Sequence, residues 1–318
     1  MLFAPEFLCL ENMIREVFNR AKVSAGPIAA AVQLDLTDEQ VTPNFFSRAE
    51  ISVSLPDGPV RITWAAVATL WAASQAAVRL GRRMLEAKKA GQSRIEIEPG
   101  SAEDIGMLFM DLSQNFMRLN GPAESNGAVR WHDLPKPDPS PDLDSDDARA
   151  NFWFQNTLEW IIRHELAHVV LLHGQRDQED GGKKRAIYET EADSQATDWL
   201  RGELSADPVR ELGTKPEQRE LELEARATMV GFGLVWVAML EASVGATSGG
   251  HPPIAERLLK CLGQMGLRED SFALEVTSDL LKVWMDPQGT WQAYETPLDA
   301  FQDAAAKLQE YMDQFPRR

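Results

Sequence analysis

The chain has 318 residues, 44% of them hydrophobic, and so can bury a substantial core as one large domain or two lobes. Its 49 acidic residues outnumber 32 basic ones, and the formal charge of -17 repels phosphate backbones and anionic lipid surfaces, which argues against nucleic acid as a main ligand. Two cysteines, Cys9 and Cys261, cannot build a disulfide scaffold and fit a reducing compartment, so a cytoplasmic location is expected.

The first ten residues include Glu6 and lack a basic n-region, unlike a signal peptide. Residues 11–34 show helical spacing, with Met13, Ile14, Val17 and Phe18 near one face. Residues 50–56 alternate as a short strand, Asp57-Gly58 signals a turn, and residues 60–63 form the return strand. An alanine-rich helix is predicted over 64–89, ending in basic residues before Gly91. Residues 94–98 alternate again, and a helix is expected to start at Ser101 and run to Leu119. Residues 133–148 are crowded with proline and aspartate and read as a loop or linker. The helical pattern resumes at Arg149 and carries Phe152, Trp153, Phe154, Leu158, Ile161, Ile162, Leu166 and Val169, with an end expected near His173-Gly174. Residues 175–185 are polar and read as a mobile connector. Helices follow over 186–201 and 217–243, the latter single or jointed at Gly231 or Gly233. A turn is expected over 247–250, then a helix opening at Pro252-Pro253, and mostly helical segments over 271–284 and 298–315. Two apolar stretches, 64–80 and 229–240, fall short of the roughly 18 clean apolar residues of a spanning helix and read as buried helices, so no membrane insertion is expected.

The chemistry is concentrated at residues 164–168, His-Glu-Leu-Ala-His. A helix turns about 100° per residue, so His164 and His168 sit roughly 40° apart on neighbouring turns and can meet one ion. Glu165 projects beside the pair, where it can take a proton from an attacking water and pass it to a leaving nitrogen. His173 lies about 140° further round a regular helix, and is expected at the helix C-terminus, away from the ion. A third ligand is required, and Glu189, Glu191 and Asp193 are the candidates. Glu189 and Asp193 share a face by their i,i+4 spacing, so one could bind zinc while the other accepts a hydrogen bond from a ligand imidazole. Spacing leaves open which does which.

The pairing of H-E-x-x-H with a later E-x-x-x-D resembles the gluzincin metallopeptidases, most closely the phage-exclusion peptidases of the Lit type and the membrane heat-shock and prenyl-protein metallopeptidases. The resemblance implies His164, His168 and Glu189 as zinc ligands, Glu165 as the base, and Asp193 as the carboxylate that orients a ligand histidine. The run His251-Pro252-Pro253 with Arg257 is similar to an H-P-P-x-x-x-R of the membrane members, which implies that His251 and Arg257 border the cleft. His251 or Tyr188 would steady the tetrahedral intermediate. The resemblance also implies a protein or peptide substrate, a role in phage defence, and a translation elongation factor as candidate target.

The expected fold is α+β, mostly helical and zincin-like, with a small N-terminal mixed or antiparallel sheet. Residues 1–132 would form an upper lobe, 133–148 a loop, and 149–318 the helical metal-binding lobe. A substrate strand would lie beside the motif helix against an edge strand, for which 94–98 is the candidate. The leading reading is a zinc endopeptidase acting on a specific protein; the alternative is a regulatory or interaction protein on the same scaffold.

Overall fold

The computed structural model describes residues 9–37, 49–56, 58–92, 136–205, 216–244, 251–286 and 292–314. The expected strand at 94–98, the helix at 101–119 and the turn at 247–250 lie outside these residues. Helix α1 (Glu11–Ala25) buries Ile14, Val17, Phe18 and Ala21 along one stripe. It stops at Gly26, whose φ of 79° is natural to glycine, and Pro27 opens a 3-10 turn through Ala31. The helical pattern expected to reach residue 34 therefore ends early, and Leu34–Thr37 becomes a strand, β1.

Strands β2 (Ile51–Val53) and β3 (Val60–Thr63) form the expected hairpin. β3 pairs parallel to β1 and antiparallel to β2, so the sheet is mixed, with order β1-β3-β2. Thr63 ends β3 and caps α2 (Trp64–Lys89), its side chain accepting from the Ala66 N–H. Alanines over most of α2 let it sit deep in the protein, and Lys88 and Lys89 close it where cations suit the helix dipole.

The central element is α3 (Asp146–Val170). It begins inside the segment read as a loop, because Ser145 caps it by accepting from the Ala148 N–H and Asp146 and Asp147 suit its first turn. Arg82 reaches Asp146 at 2.8 Å and Arg79 reaches Asp147 at 3.4 Å, tying α2 to that end. Towards its C-terminus α3 is buried nearly all round, from Thr157 to Val169, as a helix covered by protein on every side must be. It packs against α1, α2, β2 and the helices that follow.

The polar stretch expected to be a mobile connector is instead a helix, α4 (His173–Asp180), closed by Gly181 in the left-handed region. Ion pairs that sequence periodicity cannot register hold it: Arg176 to Glu191 and Arg185 to Asp177. Then come α5 (Arg185–Ser205), α6 (Pro216–Val244), α7 (Ile254–Met265), α8 (Phe272–Met285) and α9 (Pro297–Met312). α6 is one unbroken helix. Its glycines serve close packing rather than a joint: a Cβ at Gly231 would fall 2.2 Å from Thr277 Oγ1, and one at Gly233 would fall 3.3 Å from the Trp160 ring. Residues 217–242 of α6 are long and apolar enough to cross a membrane, but 67% of the most apolar window is buried inside the structure. One core runs from Leu10 in front of α1 to Met312 in α9. The architecture is α+β and mostly helical, with the small sheet against the motif helix.

Candidate metal centre

α3 presents His164 and His168 on one face, and α5 packs across it to bring Glu189 opposite. His164 Nε2 stands 3.1 Å from His168 Nε2 and 3.3 Å from Glu189 Oε2, and His168 Nε2 is 3.5 Å from Glu189 Oε1. Ligand atoms placed about 2.0–2.1 Å from a tetrahedral zinc are about 3.3 Å from one another. The two separations that meet at His164 Nε2 match the edges of that tetrahedron, one ligand atom from each of the three residues lies within 4.8 Å of the others, and both imidazoles offer the same ring nitrogen.

The donor set also favours positive charge. Burial opposes protonation of His164, but hydrogen bonds to Asp193 and Glu189 outweigh it and push its pKa up to about 10. Burial and the cationic His164 then push His168 down to about 3. Burial works against ionised Glu189 too, yet contacts with His164 and His251 hold its carboxyl well below the usual range. A pocket that draws a proton between two carboxylates suits a divalent cation equally well.

Asp193, four residues along α5, lies behind His164. Its Oδ1 is 2.9 Å from His164 Nδ1 and accepts 2.9 Å from Arg257 Nη2, while Oδ2 accepts 2.7 Å from Arg257 Nε. Asp193 is 1% exposed and Arg257 6%, so this is a desolvated bidentate pair. It clips α7 to α5 and directs the guanidinium at Asp193 rather than into open space. His251, just before α7, is 3.2 Å through Nδ1 from Glu189 Oε2, and its side chain is 43% exposed. Glu165 lies near the Val53 backbone N–H of β2, whose dipole favours its charged form. Burial pushes its pKa up to about 7.

Tyr188 sits elsewhere. Its hydroxyl donates to Asp180 and its ring stacks on His173 at 4.8 Å, on the far side of His168 from Glu189. His173 departs from expectation most. α3 ends at Leu171, and Leu172 takes the left-handed conformation with φ 58°. That bend cancels the angular offset a regular helix would impose and turns His173 back, so its Nδ1 lies 2.8 Å from His168 Nδ1. Glu191, weighed above as a ligand, accepts from His173 Nε2 at 3.1 Å and from Arg176 at 2.6 Å, and stands outside the three-residue cluster. Gly174, the next residue, lets the hairpin turn seat there: a Cβ on it would fall 2.7 Å from the Leu55 Cβ.

Two histidines on one helix turn, a carboxylate from the next long helix and a glutamate beside them, on a mostly helical α+β frame, define a zinc-dependent metallopeptidase of the gluzincin type. The family profile of peptidase U49 matches residues 60–277, from β3 into α8, and the chain belongs to that family. This is the Lit-type phage-exclusion family, as the motif resemblance implied, and it carries a protein or peptide substrate. No curated protein and no solved structure matches the chain.

Proposed function

We propose that the chain is an endopeptidase that cuts a specific protein, with His164, His168 and Glu189 holding zinc and Glu165 serving as general base and acid. The observation that carries this reading is the convergence of His164 Nε2, His168 Nε2 and a Glu189 carboxylate oxygen within 4.8 Å of one another, with Glu165 on the same helix. Zinc in such a site acts as a Lewis acid towards the scissile carbonyl and makes water more acidic.

The chain's own groups divide the remaining work. Glu165 takes a proton from the water that attacks the peptide carbonyl carbon, and then delivers that proton to the amide nitrogen as the C–N bond breaks. Burial favours the protonated form of Glu165, as suits a group that must hold the proton between acceptance and delivery. His251 turns Nδ1 to Glu189, which leaves Nε2 on the exposed side to donate to the oxyanion. Of His251 and Tyr188, this geometry favours His251, because the Tyr188 hydroxyl is committed to Asp180. Asp193 orients His164, and Arg257 holds Asp193 in place.

The substrate strand would run along β2. That strand ends the sheet among the described residues, packs on α3, and brings Val53 near Glu165. An extended peptide beside β2 would bring its scissile bond to Glu165. Neither Cys9 nor Cys261 is in a disulfide, which fits action in the cytoplasm. The test is mass spectrometry of new protein N-termini in a bacterial extract incubated with wild type or with Glu165→Gln. New termini should appear with wild type alone; identical termini with both would remove Glu165 from its role.

A further inference from the structure

We propose that His173, backed by Glu191, is the positioning residue that fixes the ring of His168 for the metal, as Asp193 does for His164. This rests on the reading of His164, His168 and Glu189 as the metal ligands. The inference starts from hydrogen-bond arithmetic. His168 Nδ1 and His173 Nδ1 are 2.8 Å apart, a distance at which one nitrogen carries the proton and the other offers a lone pair. At the other edge of the His173 ring, Nε2 is 3.1 Å from Glu191 Oε2. Glu191 is already paired with Arg176 at 2.6 and 3.2 Å, so it is a carboxylate and can only accept. A neutral His173 therefore carries its proton on Nε2, and its Nδ1 is the acceptor. His168 is then the donor through Nδ1, which leaves the Nε2 lone pair facing His164 and Glu189.

The position of His173 is over-determined. It is 1% exposed, its ring lies 21° from parallel with that of Tyr188, and the Arg176 guanidinium covers the other part of that sandwich at 4.5 Å from the Tyr188 ring. The left-handed Leu172 sets the chain direction that makes the contact possible. Two polar arms thus converge on the centre from different helices. The Asp193 arm is buried and locked by Arg257, whereas the His173 arm ends at Glu191, whose side chain is 37% exposed. Partners of this kind set the tautomer and orientation of a ligand imidazole, and their loss typically costs 10–100-fold in metal affinity.

The experiment measures zinc affinity by competition with a chromophoric chelator in wild type, His173→Phe and His173→Asn, with melting of the zinc-stripped proteins alongside. His173→Phe keeps an aromatic ring on Tyr188 but offers no acceptor, and should bind zinc about 10–100-fold more weakly. Asparagine places its Oδ1 near the former Nδ1, so His173→Asn should recover most of that loss although it cannot reach Glu191. Independently of any variant, long-range proton–nitrogen spectra of the zinc-loaded wild type should report His168 as the Nδ1–H tautomer and His173 as the Nε2–H tautomer. Wild-type affinity in His173→Phe, no recovery in His173→Asn, or a proton on His173 Nδ1 would each overturn the proposal. If the wild type takes up no zinc at all, the metal reading falls first and this one with it.

Discussion

Replacing Arg257 by methionine would leave Asp193 ionised, buried and without its bidentate partner. The side chains of Arg257 and Asp193 are 5% and 2% exposed, and two short hydrogen bonds of 2.7 and 2.9 Å join them. Breaking a buried pair by removing one partner costs about 3–5 kcal/mol. Asp193 would keep one hydrogen bond, from His164, so the lower end of about 3 kcal/mol is expected. Against a total stability of about 5–15 kcal/mol this is a large fraction. Urea unfolding of zinc-stripped protein, followed by tryptophan fluorescence, measures it directly. The double replacement Arg257→Met with Asp193→Leu should return most of the lost stability, since an apolar pair can stand in for a buried ion pair. It should not return zinc affinity, because His164 Nδ1 would have no acceptor. A loss below about 1 kcal/mol in Arg257→Met, or full zinc affinity in the double variant, would refute the reasoning.

Gly231→Ala should destabilise by about 1–3 kcal/mol, because its Cβ would lie 2.2 Å from Thr277 Oγ1; adding Thr277→Ala removes that atom and should restore the unfolding midpoint. Glu241 is pushed above the usual carboxylate range by burial, which the nearby Arg257 does not offset. A raised folded-state pKa means that stability is lost as pH climbs from the unfolded value of about 4.3 through the folded value. Glu241→Gln should therefore melt above wild type at neutral pH, with the gap closing below about pH 4, and a gap that persists in acid would point to another cause. The peptidase itself should yield new protein termini that Glu165→Gln does not, while that variant keeps its zinc.

Apolar periodicity made α2, α3 and the later helices legible, since each buries a continuous face and their ends carry local signals such as Lys88-Lys89 and Pro253. The three-residue centre was legible for a related reason. Helix geometry alone brings His164 to His168, and the E-x-x-x-D spacing puts Glu189 and Asp193 on one face. What stayed hidden depends on contacts between distant segments. α4 has no apolar stripe and is held by ion pairs to residues in α5. β1 was absorbed into the preceding helix, although Gly26-Pro27 announced the break. The contact of His173 with His168 is invisible to helical periodicity, because a leucine in the left-handed region has no signature in sequence. The surroundings of Glu165 were equally hidden, since β2 comes near it only after the sheet has docked on α3.

His164, His168 and Glu189 are proposed to grip one zinc. Elemental analysis of zinc-loaded, buffer-exchanged protein tests it most directly, with His168→Ala, Glu189→Ala and Glu165→Gln prepared in parallel. One zinc per chain in wild type and Glu165→Gln, with a sharp fall in His168→Ala and Glu189→Ala, is the predicted result. A wild type that retains no zinc, or a Glu189→Ala protein that retains it fully, would contradict the account.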